Sequence, residues 1–256
     1  MIDQQRLWDH EAAQSYDTPG QGVFAPEVLE PAVRTLARLA DGGSAVEFAI
    51  GTGRVGIALH EAGVGVRGIE LSRAMLERLR EKIGPEELPV VEGSMTTALA
   101  GIGHTLVYLV FNTISNLLTQ EEQVQCFRNA ARHLAPGGRF VVELWVPQLR
   151  ALAPGHGGTV EASEDGYLLV DTIDIHSQRL TSHHIRFDPR VDGSREARIG
   201  RTPHRYIWPS ELDLMGQLAG FELEHRWADW AGAEFTAESP SHVSVYRLLR
   251  DPAAER

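Results

Sequence analysis

Glu47-Phe48-Ala49-Ile50-Gly51-Thr52-Gly53, followed by Glu70, is the stretch whose residue types and spacing most directly imply chemistry. Glycines at a strand-to-helix turn let backbone N–H groups approach a ligand closely, and the helix N-terminus beyond them favours negative charge. Read literally, Gly51-Thr52-Gly53-Arg54-Val55-Gly56 is a complete G-x-G-x-x-G, and Glu70 stands where an acid binds ribose hydroxyls. A nucleoside pocket follows. A turn that serves only tight strand–helix packing is the plainer alternative.

Two cofactor classes fit such a pocket, a nicotinamide dinucleotide and a sulfonium methyl donor. Glu47, just before the loop, offers a carboxylate that suits a zwitterionic amino-acid tail better than a pyrophosphate. Lys82 is the sole lysine, and no tyrosine begins a Tyr-x-x-x-Lys dyad, so hydride transfer has no evident owner. Both points favour the methyl donor. Displacement at a sulfonium is in-line and asks mainly for alignment and exclusion of water. The groups that could supply alignment lie further on. Phe111-Asn112-Thr113 ends a strand at the lip where a methyl group would project; Asn112 orients an amine or hydroxyl there, or caps the next turn. Glu143 is a candidate base or a member of a buried polar network. His183 and His184 alternate in an extended run, so only one faces a pocket, where an imidazole could take a proton. With Arg186, Arg205, Tyr206 and Trp208 they form the richest polar-aromatic set. Arg195, Arg198, Arg201 and Arg205 read as a solvated basic face. Trp227 and Trp230 fill core or line a cavity.

Composition narrows the partners. The chain has 256 residues, 43% of them hydrophobic and 23% charged, which suits one globular domain with an elaborated lid. No apolar run spans a bilayer, and the polar start Met1-Ile2-Asp3-Gln4-Gln5-Arg6 has no secretion-signal pattern, so a cytoplasmic location is expected. A net charge of −11 opposes nucleic-acid binding and favours a small-molecule substrate. The single Cys126 excludes an internal disulfide and a thiolate cage, and no histidine pair has helical ligand spacing, so no metal site is expected.

The elements that must position these groups alternate strand and helix. Pro26 to Ala40 is a helix stopped by Asp41-Gly42-Gly43; Ala45 to Ile50 is a strand; a helix runs to Ala62; Val64 to Ile69 is the second strand, and Ser72 caps the next helix. Pro89 to Glu92, Thr105 to Phe111 and Arg139 to Val146 give strands three to five, with a helix over 120–134. That order predicts a doubly wound, Rossmann-like α/β sheet with its ligand at the carboxyl ends of the strands. Then the pattern changes. Tyr167 to Ile175, Arg179 to Asp188 and Arg195 to Trp208 predict a three-stranded antiparallel meander, its second turn at Val191-Asp192-Gly193-Ser194. Ser210 caps a helix carrying Leu212, Leu214, Met215 and Leu218, and Phe221 to Trp230 with His242 to Leu249 close the sheet antiparallel. The resulting layout is an N-terminal lid and capping helix over 1–40, a cofactor core over 41–147, a lid insert over 148–209 and a closing unit over 210–250. The lid and meander could also support a homodimer.

From Ala45 to Val146, and again in the closing strand pair, the chain resembles the class I methyltransferase family. The resemblance rests on the Glu47 to Gly53 loop, Gly68-Ile69-Glu70-Leu71-Ser72, Glu92-Gly93-Ser94-Met95 and Leu134-Ala135-Pro136-Gly137-Gly138. It implies S-adenosylmethionine as cofactor and strand order 3-2-1-4-5-7-6. It also implies that the loop, including Ala49, Gly51 and Gly53, wraps the methionine part; Glu70 binds the ribose hydroxyls; Leu71 packs on adenine; and Ser94-Met95 meet the adenine edge. Tyr16, in a segment with the hinge Pro19-Gly20-Gln21-Gly22, would fold over the methyl group or carboxylate. Ala49 replaces the family's usual first glycine, which requires a negative φ there, and Ser94 replaces a common aspartate. Methyl transfer to O, N or activated C of a small metabolite in specialised metabolism is the expectation; a nicotinamide oxidoreductase and a non-catalytic nucleoside sensor are the alternatives.

Overall fold

The computed structural model describes residues 10–18, 20, 22–190 and 194–249. The expected turn at Val191-Asp192-Gly193 and the N-terminal Met1 to Arg6 lie outside them. Seven strands form the main sheet: β1 (Ser44–Phe48), β2 (Gly65–Glu70), β3 (Val90–Glu92), β4 (His104–Leu109), β5 (Leu134–Trp145), β10 (Phe221–Trp227) and β11 (Ser241–Leu248). Their order is β10-β11-β5-β4-β1-β2-β3, the predicted 3-2-1-4-5-7-6, with β11 antiparallel to both neighbours.

Alternation along the strands explains why both faces are covered. Val46, Phe48, Val107, Leu109, Phe140 and Val142 point into a core with α5 (Gln120–His133) and α6 (Pro209–Leu218). Ala45, Leu106, Tyr108 and Val141 point the other way, toward α2 (Pro26–Ala40), α3 (Arg54–Glu61) and α4 (Arg73–Arg80). Cys126 is buried in α5, where desolvation pushes its thiol up and keeps it inert. The β1 and β4 ends thus meet at the crevice where the strand order reverses, the place where such sheets bind ligands. The helix α1 (His10–Tyr16) comes before this core.

A second sheet follows β5, in the order β6 (Gly158–Glu164), β7 (Tyr167–Asp174), β8 (Arg179–Pro189), β9 (Arg195–Arg205), all antiparallel. It has four strands where the sequence predicted three. A register shift between Val160 and Ala162 breaks the alternation that would have marked β6. Arg205 ties this sheet to the core: buried at the end of β9, it bonds Gln123 of α5, Gln178 and, at 2.7 Å, Glu211 of α6. The expected cap of α6 lies two residues too late. Pro209 needs no N–H partner and starts the helix, so Trp208 holds the N-cap place, and Ser210 sits in the first turn. Leu212 and Met215 are buried as expected, but Leu214 and Leu218 are exposed.

Candidate active site

Tight coil at the end of β1 builds the floor of the site. Ala49, Gly51 and Gly53 have φ of 52°, 59° and 86°. The negative φ expected at Ala49 is therefore wrong: the loop keeps its left-handed turn despite the Cβ, at a cost of roughly 1–2 kcal/mol. Gly53 occupies the N-cap position of α3, where a Cβ would come within 2.8 Å of Ile57, so its glycine serves packing, outside the cavity wall. At Gly56 a Cβ would lie 2.6 Å from Glu47 Oε2.

Glu47 also departs from expectation. It is 2% exposed, beneath the loop and outside the cavity wall, and accepts a hydrogen bond from the Tyr108 hydroxyl at 3.0 Å. Burial pushes its carboxyl up to about 8, against the Tyr108 and Gly56 hydrogen bonds and Arg54. It braces the turn from below. The charge argument drawn from it needs an ionised group, which burial disfavours near neutrality.

Glu70, by contrast, reaches the cavity from the end of β2. Its Oε2 accepts from Gly51 N at 2.8 Å and its Oε1 from Ser72 N at 2.7 Å. A carboxylate offers about four lone-pair sites, so two hydroxyls of a vicinal diol can still be bound. Burial raises this carboxyl too, with the backbone bonds opposing. Leu71, Ser94 and Met95 line the wall beside it, and Ser72 caps α4 through Met75 N. The Ser94 hydroxyl is engaged by Thr96, with Oγ to Oγ1 at 2.8 Å and Thr96 N donating at 3.2 Å. An acid suited to a diol beside an apolar slot fits a nucleoside better than a pyrophosphate.

The N-terminal segment covers this half of the cavity. Tyr16 lines it, packing edge-on against Phe24 at 5.9 Å, and burial raises its hydroxyl above the usual phenol value. Asp17 accepts from the Thr52 hydroxyl at 2.6 Å and pairs with Lys82 Nζ at 2.6 Å, while Lys82 donates to Thr52 O at 2.9 Å. The chain's one lysine is thus a strut between the segment and the glycine loop.

At the lip, Phe111 and Asn112 are both left-handed, with φ of 53° and 61°. Such strain costs of order 1–3 kcal/mol per residue and needs surrounding structure to hold it. Glu143 and Asn112 supply that structure. Glu143 Oε2 accepts from Phe111 N at 2.7 Å and Oε1 from Trp230 Nε1 at 2.8 Å; Asn112 Oδ1 accepts from Trp145 N at 2.7 Å. Glu143 lies outside the cavity wall, so the expected base is a brace that presents Phe111 and Asn112, which do line it. Trp230 is buried core, and Trp227 stacks on His225 at 5.1 Å; neither lines the cavity.

The second sheet closes the far side. His184 lines the cavity with Nδ1 2.8 Å from the Tyr167 hydroxyl, whereas His183 lies on the other face against Thr172, so His183 drops out as a candidate. Burial lowers His184. Of the polar-aromatic set, Tyr206 lines the cavity, Arg205 is structural and Arg186 is exposed. Arg195 and Arg198 pair with Asp165 and Asp188 on an exposed face, as the solvated reading required. Sequence reasoning missed Asp171 and His204. Their signal was present: Asp171 shares a face with Tyr167, and His204 lies an even step from Tyr206, but period-two alternation was applied only to the histidine pair.

These parts enclose one cavity of about 1380 Å³, running from Gly51 and Glu70 past Phe111 and Asn112 to Asp171 and His204. A single small-ligand pocket holds about 300–1,000 Å³, so two ligands fit end to end. Among the described residues no cluster of metal-ligating side chains occurs, and no helix is long and apolar enough to cross a membrane.

Comparison with known proteins bears on the chemistry. Residues 45–138 match the family described as methyltransferase domain. The solved CcbJ methyltransferase from Streptomyces caelestis is 33% identical, covers 97% of this chain and all of its own (100%), and superposes with a TM-score of 0.82. A cypemycin N-terminal methyltransferase from Streptomyces sp is 27% identical over 93% of this chain and 96% of its own. A dTDP-4-amino-2,3,4,6-tetradeoxy-D-glucose N,N-dimethyltransferase from Saccharopolyspora spinosa is 33% identical over 48% of each chain.

Proposed function

Because this chain belongs to the class I S-adenosylmethionine-dependent methyltransferases, we propose that it methylates an amine nitrogen of a small metabolite bound between the core and the second sheet. S-adenosylmethionine supplies an activated methyl group when bound. In our assignment Glu70 holds the ribose hydroxyls, Gly51 and Ala49 follow the methionine part with their backbone, and Leu71, Ser94 and Met95 surround the adenine. Tyr16 and the Asp17–Lys82 strut keep water out, and Phe111 and Asn112 shape the passage to the acceptor.

The observation that carries the acceptor reading is the charge of the cavity wall. Four acidic residues, Glu70, Glu122, Glu161 and Asp171, line it against one basic side chain that is always charged, Arg179. Such a wall favours a cationic or hydrogen-rich guest over an anionic one. The names of two relatives, an N,N-dimethyltransferase of an amino sugar nucleotide and a cypemycin N-terminal methyltransferase, support the same reading. The test is transfer of an isotope-labelled methyl group from S-adenosylmethionine to a panel of amine-bearing metabolites and their hydroxyl counterparts, with the methylated atom located by NMR. Label on nitrogen is expected. Label confined to oxygen or carbon overturns the reading.

A further inference from the structure

We propose that the inner face of the second sheet is an ammonium-binding site, in which the Asp171 carboxylate receives N–H bonds of the acceptor's amine and His204, two strands away, flanks the same guest. The inference rests on the amine reading above and assigns it to named atoms.

Strand register is the first ground. Thr159 pairs with Asp171, Asp171 with Ser182, and Ser182 with Thr202, so one polar row crosses all four strands. All four residues line the cavity. Directly paired residues stand on the same face, about 4.5–5.5 Å apart at Cβ, which makes the row one continuous strip of oxygen atoms. His184 follows Ser182 on the same face of β8, and His204 follows Thr202 on β9.

The state of the polar atoms is the second ground. Ser182 hydrogen-bonds the Asp171 carboxylate, yet Asp171 Oδ1 is buried without a partner, and so is His204 Nδ1. A buried polar atom left unpaired costs about 1–3 kcal/mol; Arg78, His104 and His242 carry such atoms elsewhere, but Asp171 and His204 are the two that line the cavity among the described residues. A guest that donates to Asp171 removes one of these costs, and His204 stands two strands away to meet a second donor. Burial holds His204 down to about 4, so near neutrality its imidazole is uncharged and can accept. His184, lowered likewise, adds no positive charge to repel a cation. An ammonium has three donors and no acceptor, which matches this acceptor set better than a hydroxyl with one donor.

Binding also prepares the amine. An ammonium has no free electron pair, and it becomes nucleophilic when one N–H bond gives its proton to Asp171 Oδ1 and its electron pair stays on nitrogen. One proton leaves the ligand and one arrives on the carboxylate. Burial, with Glu161 adding to it, raises the Asp171 carboxyl against Ser182, His184 and His183, which suits it to accept.

The test uses full-length protein saturated with S-adenosylhomocysteine and matched probes that differ only in amine against hydroxyl: glucosamine with glucose, cyclohexylamine with cyclohexanol, tyramine with tyrosol. Binding is read by ligand-observed NMR and calorimetry. Wild type is expected to prefer the amine about tenfold or more in at least one pair, the scale of a charge-assisted hydrogen bond. Asp171→Asn should abolish that preference while leaving S-adenosylhomocysteine affinity and the melting temperature unchanged, and His204→Phe should reduce it. No amine preference in any pair, or a preference that survives Asp171→Asn, overturns the proposal. If the preference depends on Asp171 but label is found on oxygen, the ammonium site stands and the acceptor reading falls. If label is on nitrogen and Asp171→Asn changes nothing, the reverse holds.

Discussion

Replacing Glu70 by alanine should weaken S-adenosylhomocysteine binding far more than replacing Ser94, and the structure sets the scale. Glu70 presents its carboxylate at the cavity with Gly51 N and Ser72 N already held at 2.8 and 2.7 Å. A ribose diol adds two hydrogen bonds to a charged acceptor, each worth about 1.5–3 kcal/mol. Losing both amounts to roughly 3–6 kcal/mol, or about a hundredfold to ten-thousandfold in Kd at 1.4 kcal/mol per decade. Water in the cavity can satisfy the two freed N–H groups of the unliganded variant, so the loss appears in binding more than in folding. Ser94 is different: its hydroxyl is already engaged by Thr96, which leaves a weak contact to the adenine. Its removal should cost about 0.5–1.5 kcal/mol, or a few-fold to roughly tenfold. Calorimetric titration with S-adenosylhomocysteine measures both, with thermal melts of the free variants as the folding control. If Ser94→Ala loosens binding more than Glu70→Ala, the assignment of the diol to Glu70 is refuted.

Three further outcomes follow from the loop and the anchor of the second sheet. Ala49→Gly should stabilise the free protein by about 0.5–1 kcal/mol in urea titrations, because relief of a left-handed Cβ exceeds the entropy cost of glycine. Glu47 is raised from 4.5 to about 8 in the fold, so its contribution to stability is complete below pH 4.5 and is lost as pH rises through 8. Glu47→Gln should therefore flatten the decline in stability across that window, read as urea midpoints at stepped pH. Arg205→Ala strands half-buried Glu211 and buried Gln123 and should cost about 3–5 kcal/mol in urea unfolding.

Much of the main sheet was legible because its signals are local. Gly63 and Gly220 stop helices at positive φ, Ser72 caps another, and apolar strands alternate with amphipathic helices. The Glu70 position was legible for the same reason, since a strand end followed by a capped helix fixes where its carboxylate points. What was not legible depends on partners distant in sequence. Nothing near Glu143 reveals that Phe111 N and Trp230 Nε1 take both its oxygens, and nothing near Glu47 reveals Tyr108 above it. The strand β6 was hidden because its register shift breaks the two-residue period. Asp171 and His204 share faces with Tyr167 and Tyr206 in the sequence pattern, but which face meets the cavity is decided only once the four strands are in register.

In the proposed assignment, donor and acceptor recognition come from different parts of the chain. The donor half is largely backbone and one carboxylate, set by a turn that the first strand and helix dictate. The acceptor half is side chains on a separate sheet, joined to the core through Arg205. Substitutions along Thr159, Asp171, Ser182 and Thr202 can change the guest without touching the loop that holds the methyl donor. A lone carboxylate in the core could not do this, since Glu143 is committed to bracing a strained turn. The polar groups of the row are not among the bonds by which Arg205 ties this sheet to the core.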